Sequence, residues 1–355
     1  MDHRKQNTTL FVFIKNPVLP NVNQVASGTY QKYSLYPEVV QYLERRPLLR
    51  NHALAGIYKG DIRITSAFRS QWGSVTVPFV SQALGAEMRF SVSQNSDNYM
   101  SIGLQVTNDV AGTSRLGKTQ FLPMLAFHKS LSSDKDTYLS LGFMGGPVQQ
   151  RFDPSNLKFG DQFVNGAYSS SNPTQQTFAS TDVMYVDGAV GLSFSSTIGY
   201  DANFYIGSAY FHFNKPKVAF NKDLDVTLNS KLVVNAGFSV PTSDYDKFIV
   251  YGDYFRQGGT SQAQGGFLYR HDLQQRDDEE ILGLSMGAFL RWNDAVMPVV
   301  KFDYYKLGVG LTYDVNISKL RTASSMRGGL ELSLSYKSYL NINNSSPNKT
   351  RCLAF

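Results

Sequence analysis

The stretch that decides the fold is residues 84–92, LGAEMRFSV, in which an apolar side chain stands at every second position. Successive side chains of a β-strand point to opposite faces, so this stretch has one apolar face and one polar or charged face. The same two-residue rhythm returns between about residues 60 and 340. It is typical of a soluble sandwich, which buries its apolar faces together, and of a membrane barrel, which turns them towards lipid.

The composition favours a β-rich protein and argues against several functional classes. The 355 residues suffice for two ordinary domains or one large barrel, and Tyr (21) and Phe (24) are abundant while Trp (2) is scarce. This mix suits the aromatic girdles of a membrane barrel. The net charge of +6 is spread along the chain without a basic cluster, so we expect no nucleic-acid partner. The single Cys352 excludes an internal disulfide and a cysteine-rich metal site.

No run of about eighteen apolar residues is present, so a membrane crossing would require a closed barrel. The alternating pattern predicts fourteen strands, and an even number is typical of bacterial barrels. Two of them are ambiguous, because Pro123 interrupts one and both faces of another are aromatic. The predicted strands are 61–71, 82–93, 99–107, 119–130, 137–147, 183–195, 203–213, 227–240, 247–256, 262–271, 281–292, 295–305, 307–316 and 327–338.

The segments outside these strands predict the domain organisation. We divide the chain into an atypical N-terminal leader (1–50), a barrel (51–340) and a C-terminal tail (341–355). The longest connection, about 149–181, is rich in Ser, Asn, Gln and Gly, and segment 316–326 has room for one helical turn. A barrel with short turns at one rim and longer loops at the other would recognise partners through the longer loops.

Two short motifs match the sequence patterns of known functional sites, one for phosphate binding and one for a catalytic serine. Residues 112–119, GTSRLGKT, match the phosphate-loop pattern, and residues 283–287, GLSMG, match the nucleophile elbow. Both motifs need a helix directly after the signature residue. Here Lys118 is followed by a predicted strand, so we predict that the first motif is a hairpin loop. Ser285 lies within a predicted strand, so we predict that the second motif is part of an ordinary strand. We assign no catalytic and no cofactor-binding residues.

The five histidines show no metal-ligand spacing. We expect His128 and His212 near strand ends, as hydrogen-bonded structural residues. We interpret the acidic run Asp277–Glu280 as a solvated hairpin tip rather than as a cation site. We therefore assign no metal site, and the sequence leaves the partner-binding residues unknown.

Charged residues recur on the face opposite the apolar stripe. Inside a barrel of modest bore, side chains of both signs would pair across strands and help to fill the lumen. We favour such pairing over a substrate-conducting pathway. The residues are Arg69, Glu87, Arg89, Lys231, Asp253, Arg291, Lys301, Asp303, Asp314 and Glu331.

Several ordered pieces resemble the PorP/SprF proteins of the Bacteroidota type IX secretion and gliding machinery. Residues 51–56, NHALAG, resemble the family's Asn-Pro-Ala-Leu/Tyr-Ala-Gly opening, with His52 in place of Pro. Residues 69–72, RSQW, resemble its Arg-x-Gln-Trp. Further similar pieces are 122–128, 294–298 and 308–336, and the end 351–355 is similar to the Cys-Pro-Arg-Phe terminus with two changes. The departure is residues 1–50, where the family's signal and lead-in are unrecognisable.

The resemblance implies an all-β protein, a transmembrane antiparallel β-barrel of about fourteen strands in the outer membrane, without enzymatic activity or cofactors. It implies a type IX component that anchors, or helps to export, a secreted adhesin or other cargo through the cargo's C-terminal domain. Periplasmic ring components and outer-membrane lipid are the further partners. The alternatives are a passive porin and a soluble surface β-protein.

Overall fold

Fourteen antiparallel strands form a closed barrel in the computed structural model. The structure describes residues 47–73, 77–93, 96–165, 167–199, 201–221, 224–276, 279–318 and 327–340. Each barrel strand pairs with its sequence neighbours, and the first and last strands close the barrel over ten residue pairs, from Ile62↔Ser338 to Gln71↔Gly329. Closure leaves no open sheet edge, which a membrane would not tolerate.

The strands of the wall run from Ile62 to Ser338. A short hairpin, β6 and β7, lies outside the barrel in the connection between β5 and β8. The strands are β1 Ile62–Gln71, β2 Phe79–Ser93, β3 Ser96–Ala111, β4 Leu116–Ser132, β5 Thr137–Arg151, β6 Phe163–Val164, β7 Ala167–Tyr168, β8 Asp182–Ile198, β9 Ala202–Phe211, β10 Lys231–Pro241, β11 Asp246–Gln257, β12 Thr260–Arg276, β13 Glu279–Arg291, β14 Ala295–Tyr304, β15 Leu307–Asn316 and β16 Arg327–Ser338.

All fourteen predicted strands are confirmed, including the two ambiguous ones, which became β4 and β9. Pro123 is accommodated because the β4–β5 ladder is interrupted between Gln120 and Met124, where the proline has no N–H to donate. Several predicted boundaries differ from the observed ones by three to five residues, and most of these strands are longer than predicted. The strand predicted from residue 227 is the exception, because it begins only at Lys231. The preceding Leu228 is 3% exposed and packs inwards instead of continuing the wall.

Apolar side chains face outwards and charged side chains face inwards. On β2, Leu84 is 51% exposed, whereas Glu87 and Arg89 are buried. A soluble sandwich would show the reverse burial, so the alternation is that of a membrane barrel. In the part of the chain that the structure describes, no helix is long and apolar enough to cross a membrane.

The two rims differ in the length of their connections. One rim, here called the short-turn rim, carries turns such as 133–136, 199–201 and 242–245 together with both ends of the barrel wall. The opposite loop rim carries the connections 152–181 and 212–230 and the connection between β15 and β16. The predicted contrast between rims is confirmed. In outer-membrane barrels short turns face the periplasm and longer loops face the exterior, which orients the molecule.

Several predicted segments fall outside the described residues. These are residues 1–46 of the leader, residues 319–326 of the segment 316–326 predicted to hold a helical turn, the tail from 341, and residues 277–278 of the acidic run 277–280. The other two residues of that run begin β13. The division into leader, barrel and tail therefore stays a prediction.

The outward face generates a depth-dependent stability prediction. Leu84→Arg, near the middle of β2, should lower the free energy of unfolding by about 2–4 kcal/mol, because the guanidinium must sit in hydrocarbon. Leu131→Arg, an outward substitution next to the short-turn rim, should cost about 1 kcal/mol or less. Urea titration in lipid vesicles measures both, and equal costs would contradict the assigned membrane depth.

Candidate functional site: a filled lumen beneath a loop rim

The residues just before β1 lie inside the barrel rather than in its wall. Residues 47–61, here called the luminal segment, contain two short 3₁₀ turns, Pro47–Leu49 and His52–Leu54. Arg50, Asn51 and Ala53 are at most 1% exposed. The sequence pointed to 51–56 as a family motif, but nothing in its local pattern placed it in the lumen.

The luminal segment runs from the loop rim to the short-turn rim. Leu48 packs with Val218 and Leu228 of the 212–230 connection, at the loop rim. At the other end, the Asp61 N–H donates to the Ser338 carbonyl (2.9 Å) and the Asp61 carboxylate accepts from the Leu340 N–H (2.8 Å). The segment therefore spans the lumen and is fixed at both rims.

Asn51 holds the middle of the luminal segment. Its side-chain oxygen accepts from the Ala53 N–H (3.0 Å) and caps the second 3₁₀ turn. Its amide nitrogen donates to the Leu192 carbonyl (3.0 Å) and to Asn235 Oδ1 (3.2 Å). One buried side chain thus satisfies its own polar atoms while joining the segment to two strands of the wall.

Glycines of the wall make room for the luminal segment. A Cβ on Gly142 would lie 2.5 Å from the Ala53 nitrogen, on Gly191 2.1 Å from Asn51 Oδ1, and on Gly207 2.5 Å from Asn51 Nδ2. Gly142 and Gly191 are register partners on β5 and β8, and Gly207 follows on β9. These glycines form a recess shaped for the segment, which a residue with a side chain would close.

Arg50 is tied to the neighbouring strands β9 and β11 by a buried ion pair and a hydrogen bond. Its guanidinium donates to the Asp253 carboxylate (Nε to Oδ1, 3.0 Å) and to the Tyr205 hydroxyl (3.3 Å). Asp253 also accepts from Gln264 (3.1 Å). A buried charge of this kind is tolerated because each partner neutralises the other.

Glu87 of β2 binds the C-terminal half of the luminal segment through a hydrogen bond with Gly56. Its carboxylate accepts from the Gly56 N–H (2.8 Å) and from Arg63 Nε (2.6 Å). Gly56 has φ +74°, and a Cβ there would collide with Ser101 (1.9 Å from its Oγ). The Arg63 guanidinium also stacks on the Tyr58 ring, 4.4 Å from its centroid. The turn at Gly56 thus depends on a glycine and on one acidic acceptor.

A second ionic cluster fastens the strands that close the barrel. Arg69 of β1 donates to Asp314 of β15 (2.7 Å) and to Glu331 of β16 (3.4 Å). Arg291 of β13 donates to the same Asp314 (3.1 Å) and to Asp294. All of these side chains except Asp294 are buried. The cluster links the first strand to the last ones across the seam.

Further inward charges are also paired, which confirms the predicted pairing for most of these residues. Arg270 contacts Asp272 (2.7 Å) and Asp303 (2.8 Å), and Lys301 contacts Asp303 (3.1 Å). The Lys231 ammonium lies 4.3 Å from the centroid of the Phe211 ring. The inner wall therefore consists of compensated charges rather than a stripe of one sign.

The two long connections of the loop rim pack on each other, and 212–230 also packs on the luminal segment through Val218 and Leu228. Phe152 contacts Phe178 (5.3 Å between ring centroids) and Phe220 (4.9 Å), which joins 152–181 to 212–230. In the first connection, the Ser155 hydroxyl and N–H donate to Asp153, which lowers the pKa of that exposed carboxyl. The rim is therefore an ordered surface that closes over the luminal segment.

The catalytic look-alikes lie in ordinary β-structure. Residues 112–115 form the predicted hairpin between β3 and β4, with Lys118 on β4 opposite Asp109. Ser285 lies within β13, as predicted, and faces the lumen at 1% exposure.

The histidines are held by hydrogen bonds. His128 lies within β4, between Ser140 (2.8 Å) and Ser101 (3.3 Å), and His212 follows β9 and contacts Asp187 (2.7 Å). His52 Nδ1 lies 2.9 Å from the Leu48 carbonyl oxygen. Among the described residues, no three His, Cys, Asp or Glu side chains are grouped to hold a metal ion.

The Arg50–Asp253 pair gives a direct test of the luminal packing. Arg50→Ala should lower the free energy of unfolding by about 3–5 kcal/mol, because Asp253 is left as a buried charge without its cation. Lys59→Ala, at an exposed position of the same segment, should change it by about 0.5 kcal/mol or less. Urea titration of the folded barrel measures both.

The double variant Arg50→Met with Asp253→Leu serves as the control for lost packing. It replaces the ion pair by apolar side chains and should recover most of the stability. A loss equal to that of Arg50→Ala alone would show that packing, and not the orphaned carboxylate, is responsible.

Comparison with known structures returns other barrels. The toluene transporter TbuX of Ralstonia pickettii is 9% identical over 90% of this chain and 98% of its own, with a TM-score of 0.49. A FadL homologue of Pseudomonas aeruginosa is 9% identical over 83% and 95%, with a TM-score of 0.49. The translocator domain of the autotransporter NalP from Neisseria meningitidis is 8% identical over 88% and 99%, with a TM-score of 0.43. No curated protein matches the chain.

A family model supplies the identification. The model described as type IX secretion system membrane protein PorP/SprF matches residues 32–336, most of the chain. The match includes the luminal segment and all fourteen strands of the wall, with the exception of the last two residues of β16. The protein is therefore an outer-membrane component of type IX secretion, and the chain belongs to the PorP/SprF family.

Proposed function

We propose that this barrel is a closed, non-enzymatic anchor of the type IX machinery, which binds a secreted surface protein or assists its export. The cargo's C-terminal domain is the part that it binds, and the contact is made at the loop rim. The single observation that carries this proposal is the filled lumen. A barrel that holds its own chain inside offers its rims, rather than its interior, to a protein partner.

The contacts of the luminal segment support a permanent filling. Asn51 is anchored to two strands, Arg50 to Asp253 and Gly56 to Glu87. A Cβ on any of the recess glycines Gly142, Gly191 and Gly207 would collide with this segment. Moving the segment aside would expose a buried carboxylate and several unpaired hydrogen-bonding groups, each of which carries a free-energy cost.

The loop rim has the properties of a binding surface. The hairpin of β6 and β7 is held by hydrogen bonds between Gln162 and Asn172 (3.0 and 3.1 Å) and presents exposed Phe163 and Val164. An ordered loop loses little conformational entropy on binding. Apolar side chains on such a loop are suited to the dry centre of a protein interface. Ring components of the machinery would meet the opposite, short-turn rim.

Co-purification from native membranes tests the proposal. In mild detergent the tagged barrel should bring down a large secreted adhesin or ring components. The double variant Phe163→Ser, Val164→Ser should reduce adhesin recovery roughly tenfold or more, because two apolar contacts are lost at the centre of the interface. Tyr245→Ser, at an exposed position of the short-turn rim, should leave adhesin recovery unchanged. Recovery of the barrel alone would contradict the proposal.

Planar-bilayer recording separates the anchor from a passive porin. The full chain should be electrically silent, because the luminal segment and the paired charges occupy the lumen. A variant that lacks the residues up to Gly56 should conduct ions, since the recess is then empty. Heat-dependent gel mobility confirms that both proteins are folded barrels. Steady conductance by the full chain would favour the porin.

A further inference from the structure

The outer wall carries a concavity that the proposed function does not use. It has a volume of about 650 Å³ and lies across β4, β5, β8 and the residues that follow β9. Its floor is formed by Pro123 and Gly145, and its sides by Phe143, Val186 and Phe213, whose ring covers the adjacent Gly188. A volume of this size is within the range of about 300–1,000 Å³ that is usual for small-ligand sites.

The concavity opens to the membrane rather than to the lumen. Its side residues are the outward members of their strands: Phe143 is 51%, Val186 65% and Phe213 51% exposed. Their inward neighbours, such as Met144 and Asp187, are buried. Since outward side chains of this barrel contact lipid, the cavity is a groove in the lipid-facing wall.

The floor is low because small residues meet at neighbouring positions of adjacent strands. Gly145 and Gly188 are register partners on β5 and β8, and Pro123 stands beside them on β4, where the ladder is interrupted. The Phe213 ring packs directly over Gly188, so that a Cβ there would lie 2.7 Å from the ring. The large side residues therefore surround Pro123 and Gly145, which project less far from the wall than they do.

An exposed lysine follows the last residue that lines the loop-rim end of the groove. The Phe213 N–H donates to the Gly188 carbonyl (3.3 Å), and the Asn214 amide donates to the Val186 carbonyl (2.7 Å). These bonds fix the backbone just before Lys215, which is exposed. The next basic residue, Lys217, is already engaged by Asp225 (2.8 Å).

We propose that the groove binds an acyl chain of a membrane phospholipid, whose phosphate is bound by Lys215. The apolar lining and its place in the lipid-facing wall select a hydrocarbon chain as occupant. A lysine at the membrane surface is a suitable partner for a phosphate. One groove with an exposed lysine next to its lining fits a phospholipid with a single phosphate better than a glycolipid with many chains and several phosphates.

Native mass spectrometry of the full-length protein in mild detergent tests this site, with the bound lipid identified after extraction. The wild type should retain a phospholipid. Gly188→Leu should reduce its retention roughly tenfold, because the new side chain and the Phe213 ring that it pushes aside take the place of about two methylene contacts in the groove. The three atoms nearest to the added Cβ all belong to the Phe213 ring. Gly252→Leu, an outward glycine of β11 with open space around it, is the matched control and should retain lipid like the wild type.

The headgroup contact has its own pair of variants. Lys215→Glu should weaken phospholipid retention, whereas Lys306→Glu, an exposed lysine of the short-turn rim, should not. Heat-dependent gel mobility shows which variants are folded. Equal retention in Gly188→Leu and Gly252→Leu would overturn the proposal, as would extraction of a multiply acylated glycolipid in place of the phospholipid. Adhesin recovery by Gly188→Leu should be unchanged, so a failure here is distinguishable from failure of the proposed anchor function.

Discussion

The structure depends on one constraint: the polar inner wall of the barrel is shut away from bulk water by the protein's own chain. Once the luminal segment fills the interior, every inward charge needs a partner within the protein, because an isolated buried charge costs several kcal/mol. Arg50 with Asp253, Arg63 with Glu87, and Arg69 with Asp314 are the result. The same filling requires a recess in the wall, which the glycines of β5, β8 and β9 provide.

This constraint also explains why separate pieces of sequence resemble one family. Asn51 lies in the luminal segment, whereas Arg69, Asp294, Asp314 and Glu331 come from three later pieces of the chain. The last four meet in the ionic cluster that closes the barrel, where Arg69 reaches across from the first strand. Four of the pieces that resemble the family therefore contribute to two structural tasks, filling the lumen and joining the first strand to the last ones.

A closed and filled barrel leaves its outer surfaces for function. The loop rim is ordered by aromatic contacts such as Phe152 with Phe220, and it presents apolar residues above the membrane. The lipid-facing wall is interrupted at Gly145 and Gly188, where the groove forms. These surfaces face different surroundings, the exterior and the membrane itself, so the proposed protein partner and the proposed lipid would bind at separate sites.

The sequence by itself determined the strands, because alternation along a strand is a local property. The spacing of Leu84 and Glu87 shows that they lie on opposite faces of their strand, whichever strands pair with it. It also indicated that Lys118 and Ser285 belong to β-structure, because the helices that their motifs require are absent. Only the tertiary structure decided that Asn51 lies inside the barrel, that Leu228 turns inwards, and that Arg69 is bound by Asp314. Each of these depends on contacts between residues far apart in the chain, whose pairing no local pattern records.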